Sequence, residues 1–124
     1  TNGKVIGVDV DQTALINKYG EGMCVTSAMK GLGATVKASL KSIADGKFGD
    51  EYAGKVSSLG LVSGTDLEAN FVELPVATWA MKNFTVNQYR SLVKDVFSGK
   101  IAISNDIANV PAHSIALNIY PNIK

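Results

Sequence analysis

The stretch that most constrains this chain is Val5-Ile6-Gly7-Val8-Asp9-Val10-Asp11-Gln12. Its nearly continuous, β-branched apolar run predicts a strand buried on both faces, as in a parallel sheet. Side chains alternate along a strand, so Ile6, Val8 and Val10 are expected on one face and Gly7, Asp9 and Asp11 on the other. A buried strand that ends in acids ends at a surface. In open α/β sheets that surface, at the carboxyl ends of the strands, is where ligands bind. Gly7 leaves room beside the acids for a ligand or a neighbouring backbone. Spacing alone leaves two readings open: a binding edge, or the solvated start of a loop whose carboxylates cap nearby amides.

The chain fits one small domain over 1–124, with a core of modest size. Twelve basic and eleven acidic residues give a formal charge of +1. That balance argues against duplex nucleic acid as a partner, for which a basic stripe is expected. The single cysteine, Cys24, excludes an internal disulfide and reads as a small buried filler rather than a reactive thiol. No run is long and apolar enough to span a membrane, and no signal peptide or lipobox is visible. His113 is the one histidine, and alone it cannot build a zinc site.

After the first strand, Thr13 to Gly22 reads as a loop. A helix is predicted from Met23 to Ala44, because Val25, Met29, Leu32, Val36, Leu40 and Ile43 form one stripe opposite Lys37 and Lys41. Gly31 and Gly33 would lie inside it, each costing about 1 kcal/mol against alanine. Asp45-Gly46 would end it. Lys30 then has two readings, a surface lysine or a donor held over the acidic end of the first strand. Lys55 to Val62 reads as a strand, Ser63-Gly64-Thr65 as a turn, and Phe71 to Leu74 as a short strand stopped by Pro75. The two strands would form a hairpin or belong to a crossover segment. Trp79 and Phe84 read as core or interface residues rather than a stacking platform. Thr85 and Gln88 match a capping box, opening a helix to about Ser98 that buries Tyr89, Leu92, Val93, Val96 and Phe97 and stops at Gly99. Ile101 to Ile103 reads as a last strand, and 105–124, with Pro111 and Pro121, as an irregular tail.

There is no GxGxxG fingerprint, no phosphate-binding GxxxxGK[ST] loop and no GxSxG elbow. Two acids at a strand end also occur in hydrolases and phosphotransferases. A small α/β metal-dependent enzyme using Asp9 and Asp11, with Asp45 or Asp106, is therefore the alternative function, although no ligand spacing supports it.

The segments "KVIGVDVDQ" and "CVTSAMKGLGATVKASLKSIADGKF" together resemble the late part of the Bmp family. These are the basic membrane proteins, PnrA-like nucleoside-binding lipoproteins that serve ABC transporters. The order of a VIGVDxDQ strand, a short loop, a TSxxK helix and a DGKF-like turn carries the resemblance, and "LGLVSG" and "FTVNQYRSLVKDVFSGKIAIS" extend it to about Ser104. The resemblance implies a type I periplasmic-binding fold of two Rossmann-like α/β lobes. This chain would be the C-terminal lobe with crossover segments, and a missing N-terminal lobe would carry the aromatic stack on the base. It implies a binding protein and not an enzyme, extracytoplasmic and lipid-anchored in its parent. Its partners would be a purine nucleoside and an ABC permease, with no metal or cofactor. On this alignment Asp9 would accept from ribose hydroxyls and Lys30 would donate to the ligand. Asp11 and Gln12 would bind less directly or support the loop. A lobe without its partner exposes sheet edges, so a homo-oligomer of the fragment is also expected.

Overall fold

A computed structural model describes residues 3–104, 106, 108–110, 112–118 and 122. It is a mixed α/β arrangement with the order β1 (Val5–Asp9), α1 (Thr13–Ile16), β2 (Cys24–Lys30), α2 (Leu32–Ala44), α3 (Phe48–Glu51), β3 (Val72–Glu73) and α4 (Val86–Phe97). The sheet runs β1-β2-β3. β1 and β2 are parallel, with Asp9 opposite Met29, and β2 and β3 are antiparallel, with Lys30 opposite Val72. A parallel neighbour needs a crossover, and the loop expected over Thr13 to Gly22 supplies it while folding its first turn into α1.

The predicted helix over Met23–Ala44 divides in two. Its first third, Cys24–Lys30, is strand β2, and only Leu32–Ala44 is helical. Val25 and Met29 fit a helical stripe, but they also lie at even spacing, so period alone could not separate the two states. Pairing with β1 decides for the strand. Gly31 consequently stands at the N-cap of α2 rather than inside a helix, and Gly33 falls in the first turn. α2 buries Ser42 and leaves Leu32, Val36, Leu40 and Ile43 exposed, so the apolar stripe is not the face the helix turns inward.

β1 is also not buried on both faces. Gly7 is its only buried residue, and Ile6 and Val8 stay open to solvent because no helix lies across them. The alternation of faces ends at Asp9, where the backbone turns, so Asp11 no longer shares a strand face with Asp9. The strands expected over Lys55–Val62 and Ile101–Ile103 do not form. Gly60 accepts one hydrogen bond from Phe71 N, at 3.1 Å, in place of a hairpin.

The core sits beside α4. Leu67, Tyr89 and Val93 are buried together, with Leu61, Leu74, Trp79 and Phe84 packed around them. Trp79 lies against both Phe84 and Tyr89, at ring separations of 5.9 and 5.5 Å, and its indole N–H donates to Phe84 O. It is core, as its sequence setting indicates. The capping box forms as expected. Gln88 N donates to Thr85 Oγ1 at 3.2 Å and Thr85 N to Gln88 Oε1 at 2.8 Å. Gly99, at φ 76°, takes the left-handed conformation that closes the helix. Cys24 is buried at the start of β2. Between Asp106 and Asn122 the described residues contain no helix or strand. Asn105, Ile107, Pro111 and Pro121, assigned to the irregular tail, lie outside the described residues.

Candidate functional site

Two parallel neighbours end side by side, and that places Asp9 and Lys30 together. Lys30 Nζ donates to Asp9 Oδ1 at 2.7 Å, with 67% and 58% of the two side chains exposed. An ion pair this open contributes only about 0–1 kcal/mol to folding. Its polar atoms also face solvent, where a ligand can reach them.

Asp9 is the only described non-glycine residue with a positive φ, 74°. Val10 N bonds back to Val8 O at 3.0 Å, closing a three-residue turn around it. A positive φ in so tight a turn is strained for an L-residue, at a cost on the order of 1–3 kcal/mol. Strain of this kind clusters at functional sites. Here the strained residue is the one whose carboxylate meets Lys30.

Asp11 and Gln12 do different work. Asp11 Oδ1 accepts from Thr13 N at 3.0 Å and Oδ2 from Thr78 Oγ1 at 2.7 Å. The Thr13 bond chiefly holds its carboxyl below the usual carboxylate range. Gln12 joins the strands: its Oε1 accepts from Val8 N at 3.2 Å, and its own N–H donates to the buried Ser27 Oγ at 3.1 Å. Both residues therefore fix the turn that aims Asp9. Gly7 is needed for the same brace, since a Cβ there would stand 2.5 Å from Ser27 Oγ and 2.9 Å from Gln12 Cβ. The room beside the acids is filled by this chain's own side chains.

Gly31 holds the other half of the site. Its N–H donates to Phe71 O at 2.9 Å, and a Cβ would collide with the Asn70 carbonyl oxygen. This contact locks the end of β2, and so Lys30, against the segment that becomes β3.

An open cleft of about 380 Å³ lies between these elements. Asp9, Asp11 and Lys30 line it, with the first turn of α2 and two residues that sequence reasoning did not single out, Glu68 and Glu73. Burial raises the Glu73 carboxyl above its ordinary value, and the nearby Glu68 carboxylate adds to the shift. Only the pairing of Met29 with Glu73 brings Glu73 here, and no local signal in Phe71–Leu74 marks it. A larger groove of about 750 Å³, walled by Leu61, Leu74, Tyr89, Leu92 and Val96, shares Met29, Lys30 and Glu73 with the cleft.

Among the described residues no group of three or more His, Cys, Asp or Glu side chains is placed to hold a metal ion. Asp9 faces Lys30, while Asp11 faces Thr13 and Thr78, so the two aspartates do not converge on one point. No described helix is long and apolar enough to cross a membrane. No family model, curated protein or solved structure matches this chain.

Proposed function

We propose that the chain is the C-terminal lobe of a two-lobe, type I periplasmic-binding receptor of the Bmp kind, which holds a purine nucleoside for an ABC permease and is not itself an enzyme. The observation that carries this reading is the 2.7 Å Asp9–Lys30 pair at the carboxyl ends of two adjacent parallel strands. A ribose presents neighbouring hydroxyls, and a carboxylate can accept from both through charge-assisted bonds. Lys30 donates to an acceptor on the same ligand. Asp11 and Gln12 position the turn and do not touch the nucleoside. A second lobe closes over the cleft in the parent receptor, because binding sites enclose most of a ligand's surface and one open wall does not. The parent is extracytoplasmic and lipid-anchored.

The test is a titration with inosine, guanosine and adenosine, followed by amide shifts in the single lobe and by calorimetry in a two-lobe protein. Millimolar binding at Asp9 and Lys30 by the lobe, tightened by orders of magnitude in the two-lobe protein and abolished by Asp9→Ala, is expected. A well-folded two-lobe protein that gives no heat with any of the three overturns the assignment.

A further inference from the structure

We infer that Glu68 and Glu73 fix the charge class of the ligand, so that the cleft takes a neutral polyhydroxylated molecule and turns away its phosphate ester. The inference rests on the binding reading above and assigns a role to two residues that reading does not use.

Two features of the cleft attract anions. One is the Lys30 ammonium, and the other is the amino end of α2. That helix spans thirteen residues, and no side chain caps its N-terminal amides. A helix of this length presents roughly half a positive charge at its amino end, a common setting for phosphate. Sequence and topology alone would therefore admit a nucleotide.

The carboxylates reverse that balance. Asp9 already occupies Lys30, and Asp11, Glu68 and Glu73 line the same cleft with no further lysine or arginine in its wall. Arg90 lies in one neighbouring cleft with Asp66, and Lys37 and Lys41 line another that shares Glu68, where Lys41 is paired with Asp45. Four carboxylates outweigh one paired ammonium and half a helix charge, and a phosphate brings up to two more negative charges against them. A neutral ligand meets no such net penalty and uses the same groups one at a time. Its hydroxyls donate to Asp9 and Glu73, and its acceptor oxygens receive from Lys30 or from the open amides of α2. Burial chiefly raises the Glu73 carboxyl, and the Glu68 carboxylate beside it adds to the shift.

The experiment compares the chain with its Glu68→Gln/Glu73→Gln variant, and with each single variant, in titrations with inorganic phosphate and with inosine. Amide shifts of Gly31–Ala34 report the anion, and those of Asp9 and Lys30 report the nucleoside. Glutamine keeps the size of glutamate, and an unchanged, dispersed spectrum confirms folding. The unaltered chain is expected to ignore millimolar phosphate, while the double variant binds it about tenfold more tightly, each single variant falling between. Phosphate that saturates the α2 amides of the unaltered chain overturns the inference. So does a double variant that takes phosphate no better. No inosine response in the unaltered chain, with the phosphate gain of the double variant intact, counts against the nucleoside reading and leaves the charge inference standing.

Discussion

Asn70 and Lys30 lie on either side of Gly31, yet their polar groups are used in opposite ways. The Asn70 side chain is fully buried and makes four hydrogen bonds, all that an amide can form. Its Oδ1 accepts from Val62 N and Ser63 N at 2.7 and 2.9 Å, and its Nδ2 donates to Ser63 O and Asp66 O at 3.1 and 3.2 Å. Lys30 makes one bond, to Asp9, in the open. The buried amide shapes the 62–70 loop and carries stability. The exposed pair carries little stability and remains available for binding. Substitutions should therefore separate the two regions cleanly, with folding lost at one and binding at the other.

The largest expected effect is at Asn70. Asn70→Ala strands two backbone donors and two acceptors in a partly buried loop, at a cost of about 3 kcal/mol. Urea denaturation reads this directly, and a loss below about 1 kcal/mol would break the comparison. Gly31→Ala comes next. A methyl driven against the Asn70 carbonyl forces a backbone shift costing about 2 kcal/mol. This variant sharpens the comparison, because the shift also moves Lys30. Stability and nucleoside response should fall together, whereas Lys30→Ala should spare stability. An intact ligand response in a folded Gly31→Ala protein would show that the two regions are not joined at this point.

Legibility in the sequence divides the molecule along a different line, between α4 and the elements around Gly31. α4 could be read locally, because Thr85 and Gln88 bond to each other's backbone and Gly99 sits just beyond the last turn. Asp9 and Lys30 were singled out through the VDxDQ and TSxxK resemblance. One reading of Lys30 set it over the acidic end of the first strand, but the strand β2 that puts it there was not legible. Cys24–Lys30 carries a pattern that satisfies both periods, and only its partner β1 chooses between them. Glu73 and Asn70 gave no signal at all. What places each is a contact made across the fold, Glu73 through Met29 and Asn70 through Gly31. Long-range pairing was hidden for the same reason that capping was visible: one is set by distant partners and the other by neighbours three residues apart.

A smaller effect is expected at the legible helix. Thr85→Ala removes the acceptor for Gln88 N and should cost about 1 kcal/mol. Thermal melting should show it, and ligand response should not change, because α4 supports the core rather than the Asp9 turn. A change in nucleoside affinity with stability nearly untouched would contradict that division.

The smallest effect concerns pH and lies on the border between the two regions. Glu73 is held above its ordinary carboxyl range in the folded chain, first by burial and then by Glu68. The folded state therefore keeps the proton to a higher pH than the unfolded state does. Between the unfolded and folded values the native chain binds more protons, so stability falls as pH rises through that window. The loss is complete above the folded value and absent below the unfolded one. Glu73→Gln, which cannot ionise, should flatten this slope and leave the variant slightly more stable than the parent at neutral pH. Denaturation midpoints of the two proteins across the acid range measure the difference. Parallel pH profiles would mean that the Glu73 carboxyl is solvated like any surface acid and that its burial between β2 and the core costs it nothing.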